Sequence, residues 1–320
     1  MTGVQTCALP ISNGDQSYTT GTLTLSDSIT LETLTGNISV NADHLNTGSN
    51  DTVYSDNGLG NFTIQTYTSG GTLVLSNILN SITLSNFANY IFGGSYEGLG
   101  PIDLGFDLSA SGNLIFNSPV VLTSSVSTQT ITSNNYNITF NATIDDDTSG
   151  HHSFVVNAGT GSLTFGDAIG NTVPLLSIDF TGDQGIHLNG GAITTIDSQT
   201  YHSPVILGAD STLTGNNVTF VDSLDGQYNL HIYDSGTTSF NGFVGATTPL
   251  QSLTTASDIV AINGGGITVQ DDMNFNWIGW PSAPSNGIQK VILGGDTVLT
   301  TLVKQVPQYN FSWEKDRKST

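Results

Sequence analysis

Residues 203–214 read SPVILGADSTLT, and their reading decides the fold. Val205 and Leu207 alternate with other side chains, a Gly-Ala-Asp break follows, and a second short run carries Leu213. This is the signature of a half-buried strand, a tight turn and another strand. The wording recurs along the chain. SPVVL stands at 118–122, and VILGADSTLT at 205–214 returns as VILGGDTVLT at 291–300. Aligned on Leu122, Leu207 and Leu293, the copies are spaced by 85 and 86 residues.

A second set of landmarks repeats as well. SLTFGDAIGNTVPLLSI at 162–178 matches TTSFNGFVGATTPLQSL at 237–253, and LNGGAITT at 188–195 matches INGGGITV at 262–269. These are spaced by 75 and 74 residues, so each unit carries its own insertion. One lies around Asp145 to His152, the other around Trp277 to Pro281. The N-terminal part has a shorter echo, GTLTLSDSIT at 21–30 and GTLVLSNILN at 71–80. Period-two triplets such as Ile138-Thr139-Phe140, Leu163-Thr164-Phe165 and Val218-Thr219-Phe220 fill the units. No amphipathic helix stands out.

A stack of short strands that tolerates insertions predicts an all-β fold, a right-handed parallel β-helix with turns of about 20 residues and about four turns per long unit. The alternative is a tandem array of β-sandwich repeats. Short strands dense with turns, no tryptophan at a fixed place in the unit and no linker between units favour the solenoid. Energetics require an array. One turn buries about six apolar side chains at about 2 kcal/mol each. Fixing its backbone costs about 1–2 kcal/mol per residue. Neighbouring turns must supply the difference.

The ends read differently. Residues 1–11, MTGVQTCALPI, follow one strand of a common sequencing-adapter oligonucleotide in translation, and DRKST at 316–320 follows its reverse complement. Both are expected to be adapter artefact. Cys7 and Arg317, the single cysteine and the single arginine, fall within them. The expected organisation is a solenoid of shorter, irregular repeats over 12–112 and one long unit over 113–207. A second unit with the tryptophan insertion follows over 208–300, and a further unit starts over 301–315.

Charged residues make up 10% of the chain and the formal charge is −21. Phosphate recognition needs clustered Lys or Arg, so no nucleic-acid partner is expected. An anionic membrane surface is excluded on the same ground. No run of about 18 apolar residues offers a transmembrane helix. Gly, Asn, Ser and Thr replace the usual charged residues and favour turns and extended backbone.

The repeat wording SPVxLGADxTLT, NxVTF, TTSFNGxVGxTTPLxSLTT and INGGxITV resembles the β-strand repeats of filamentous-haemagglutinin-like adhesins and autotransporter passengers. The resemblance is best over 113–300 and is one of style over 12–112. It implies a β-helical stalk segment, export through an outer-membrane transporter to the bacterial cell surface, and adhesion to a host or bacterial glycan or protein. Apart from the resemblance, no enzyme activity, catalytic residue or bound cofactor is expected, since the basic residues and motifs that lyases and hydrolases of this shape use are missing. The alternatives are a carbohydrate-active β-helix hydrolase using paired aspartates and a surface-layer structural protein.

Few residues offer chemistry. Asp145, Asp146 and Asp147 could hold Ca²⁺, which prefers oxygen ligands, or act as acid and base on a glycoside; their ordinary reading is a solvated turn. Asp271-Asp272 is read the same way. His151-His152 stands beside the first run, and on a strand two adjacent residues face opposite ways, which argues against a chelating pair. His187, His202 and His231 read as polar strand or loop residues. Trp277 and Trp280 are ligand-binding candidates, able to stack on a sugar or to cap the flank of the solenoid. The glycines at 264–266 precede a strand pattern and read as a tight turn. No G-x-S-x-G, Walker, H-E-x-x-H or C-x-x-C motif occurs.

Overall fold

A computed structural model describes residues 14–276 except 21, 25–29, 43, 47–50, 67, 76–81, 95–99, 124–125 and 149, together with 290–293 and 298–301. Among these residues regular structure is all strand, and the strand pairs are parallel. The chain is a parallel β-helix of about nine turns. Parallel pairing rules out the β-sandwich alternative, whose sheets are antiparallel.

Each turn has three faces. In one turn Asn113–Phe116 lies on the first face, Val120–Leu122 on the second and Thr128–Ser133 on the third. The next turn lays Ile138–Phe140, Ile144–Asp146 and Ser153–Asn157 directly on them. The first face stacks ten strands, from Gln16–Thr19 to Leu224–Asp225. At about 4.8 Å per strand these ten strands alone span roughly 43 Å, and the face continues through Val244 and Ile267. The described strands of residues 14–112 stack in parallel on three faces as well.

The alternation read in the triplets is the burial pattern. Ile138 and Phe140 point inward with Thr139 between them facing out, and Leu163 and Phe165 do the same around Thr164. Because strands stack in register, like residues align in columns. Phe92, Phe116, Phe140 and Phe165 stack with ring centroids 5.2, 4.6 and 5.4 Å apart. Tyr201, Phe220 and Phe240 form a second column at 5.0 and 5.4 Å. Full burial of each ring contributes about 2–3 kcal/mol. Burial also pushes the Tyr201 hydroxyl pKa up, while the hydroxyl donates to Gln199 at 2.9 Å.

An asparagine ladder climbs the corner ahead of the first face. The Asn89 side-chain N–H donates to Asn61 at 2.6 Å, and that of Asn113 donates to Asn89 at 2.9 Å. The backbone N–H of Asn137 then donates to Asn113 at 3.0 Å, and that of Ser162 to Asn137 at 2.9 Å. The ladder measures the turn length, which is 28 residues from Asn61 to Asn89 and 24 or 25 on the next rungs, and which shortens to 19 near Asn229. Two long strands, Asn229–Phe240 and Ser252–Ile262, each cover the second and third faces without a corner break. At the bend, where the pairing shifts between Asp234 and Thr237, the buried Asp234 carboxylate accepts from the N–H groups of Asn217, Val218 and Gly236 and from the Thr238 hydroxyl.

The sequence repeat is not a whole number of turns. Leu122 lies on the second face, Leu207 on the first and Leu293 on the third. From Leu122 the chain enters the first face at Ile138, Leu163 and Ile186, and Leu207 belongs to the fourth entry. The unit is therefore three and two-thirds turns rather than four. The second set of landmarks shifts the same way, Ile169 lying on the second face and its counterpart Val244 on the first.

Candidate functional site

The first-unit insertion forms the corner between Ile144–Asp146 and Ser153–Asn157. Asp145 and Asp146 end the strand on opposite sides. Asp145 faces outward, and its carboxylate accepts the N–H groups of Thr172 (2.9 Å) and Val173 (3.0 Å) in the next turn. Asp225, its counterpart one unit later, accepts those of Thr247 and Thr248, both at 2.9 Å. Asp145 is thus a repeated structural cap, separated from its two neighbours in the acidic run.

Asp146 points into the core. It occupies the interior column that holds Leu104 and Leu122 in the two preceding turns and is 2% exposed. A carboxylate there must be fully hydrogen-bonded. One oxygen accepts the N–H groups of His151 (2.9 Å) and His152 (2.8 Å). The other accepts the Asp147 N–H at 2.8 Å and lies 2.5 Å from Nδ1 of the fully buried His152.

A second, outer pair covers the first. His151 Nδ1 lies 3.3 Å from Asp147 Oδ1, with the two side chains 47% and 37% exposed. His152 Nδ1 is 3.7 Å from the same oxygen, and the imidazole centroids are 4.1 Å apart. The largest influence on Asp147 is desolvation, which raises its pKa. The His151 hydrogen bond, the His152 charge, the Asp146 hydrogen bond and the His151 charge outweigh it and leave the pKa below the ordinary carboxylate value. One ligand atom from each of Asp146, Asp147, His151 and His152 lies within 4.8 Å of the others. The two histidines sit on the corner, not on a strand, so the opposite-face argument does not apply and their rings converge.

The remaining candidates are dispersed. Asp271 and Asp272 lie in the turn before Met273–Asn276, where the Asp271 carboxylate accepts from the Gln251 side chain. His202 pairs with Asp179 on the surface at 3.1 Å. His231 faces Asp210, whose pKa is lowered first by the backbone N–H of Asn229, then by the Asn229 side chain, with His231 adding charge. His187 sits between Thr164 and Ile206 in the first-face ladder. Gly264 and Gly265 form the expected turn, Gly265 with a φ of 37°. Trp277 and Trp280 lie outside the described residues. The Asp146–His152 contact escapes sequence reading because three consecutive aspartates look like a solvated turn; the one signal is the histidine pair that follows.

Comparison with protein families, curated proteins and solved structures gives no match.

Proposed function

We propose that this chain is a segment of a secreted bacterial surface adhesin, a rigid β-helical stalk mediating attachment to host cells, matrix or other bacteria. The observation that carries the reading is the unbroken ten-strand first face, with columns of buried rings and a continuous side-chain ladder. A stack of this kind resists bending because each turn is hydrogen-bonded to the next along its length. Short polar side chains at the outward positions, such as Thr139, Thr164 and Thr219, leave extended ridges suited to contact with a glycan or protein. The resemblance of the repeat wording to that of filamentous-haemagglutinin-like adhesins supports the same reading, with export through an outer-membrane transporter.

The test is attachment. Beads coated with the chain should bind host cells, matrix proteins or bacteria, and soluble chain should compete. Coated beads that bind no better than uncoated ones refute the proposal. Polysaccharide turnover abolished by substituting Asp145 or Asp271 would replace it with the hydrolase alternative.

A further inference from the structure

We infer that the corner formed by Asp146, Asp147, His151 and His152 is a binding site for one divalent transition-metal ion of the zinc class. Two carboxylates and two imidazoles match the ligand preferences of Zn²⁺, whereas imidazole is a poor partner for Ca²⁺. In a tetrahedral site with bonds of about 2.0–2.1 Å, neighbouring ligand atoms lie about 3.3 Å apart. The His151–Asp147 and His152–Asp147 separations, 3.3 and 3.7 Å, are close to that edge. The 2.5 Å His152–Asp146 contact must open by about 0.8 Å to admit an ion on that geometry. The second oxygen of Asp146 is held by two backbone N–H groups, which orient the carboxylate as outer hydrogen bonds do in metal sites. The exposed edges of Asp147 and His151 leave a path from solvent.

Two comparisons within the chain separate this corner from ordinary architecture. The equivalent corner of the next unit turns with Gly226-Gln227-Tyr228 and carries neither carboxylate nor imidazole there, so the fold does not require them. Asp234 shows how this chain buries a carboxylate for purely structural ends, with four neutral donors and no histidine. Around Asp146 the chain adds two imidazoles and a second carboxylate.

Calorimetric titration of the full chain with ZnCl₂ tests the inference. One equivalent should bind saturably and raise the melting temperature. The double variant Asp147→Asn/His151→Ala removes the exposed half of the site. It should retain its metal-free melting temperature and lose roughly tenfold or more in affinity. The variant Asp179→Asn/His202→Ala, lacking the other His–Asp pair, should bind as wild type. No saturable uptake by wild type, unchanged uptake by the Asp147/His151 variant, or loss on substituting the Asp179/His202 pair would each overturn the assignment.

Discussion

Replacing Phe140 with alanine tests whether the ring column holds the rod together. Phe140 is 1% exposed. It stacks on Phe116 at 4.6 Å and on Phe165 at 5.4 Å, and meets Phe154 edge-on at 5.9 Å. A Phe→Ala change in a core costs about 3–5 kcal/mol, depending on how far the surroundings collapse. Collapse is restricted here, because in-register strands above and below fix the backbone around the hole. Three aromatic contacts are also lost, each worth about 0.5–1.5 kcal/mol beyond buried area. The expected loss is therefore at the upper end, about 4–5 kcal/mol. Urea denaturation followed by circular dichroism measures it, and hydrogen exchange locates it. In a solenoid each turn leans on its neighbours, so lost protection should centre on Asn113–Phe116 and Leu163–Phe165 and spare Gln16–Thr19. A loss below about 1 kcal/mol, or protection lost evenly along the rod, refutes the reasoning.

Thr255 lies in the second-face interior column beside Ile232, and its hydroxyl is buried without a hydrogen-bond partner. Thr255→Val should stabilise by about 1 kcal/mol in the same denaturation assay; a destabilised variant would show that the hydroxyl has a partner. Asn113→Ala breaks two rungs of the ladder and should cost about 1–2 kcal/mol, with faster amide exchange at Asn137; unchanged exchange there would count against the ladder. Asp210 has a folded pKa below its unfolded value, so its contribution is full above the ordinary carboxylate pKa of about 3.9 and disappears as pH falls through the folded value. The difference in melting temperature between wild type and Asp210→Asn should accordingly be constant from neutral pH to mildly acidic pH and close below it. A difference that persists into strong acid would contradict this assignment.

The inward positions were legible because alternation and burial are the same fact: Ile138/Phe140, Leu163/Phe165 and Val218/Phe220 all point inward as read. The face each triplet occupies was not. SPVVL and SPVIL present the same local pattern, and only the number of intervening strands places one on the second face and the other on the first. Asp234-Ser235-Gly236 resembles an ordinary turn, yet the strand runs through it because the buried carboxylate replaces a corner with four hydrogen bonds. Asp146 was hidden for a similar reason. Its burial depends on His152, six residues further on, and on the N–H groups between them, none of which a window of alternation detects.

The fractional repeat gives the rod a directional phase. A motif copied by duplication comes back one face round, about 18 Å further along at 4.8 Å per turn. Three copies are needed before it faces the same way again, about 53 Å on. An array lengthened unit by unit would thus present each motif in three directions in rotation, so a flat surface would engage every third copy while a filament passing through a crowd of receptors would meet one on every side. Duplication alone would make such a rod multivalent in all directions, with no need for a second kind of repeat.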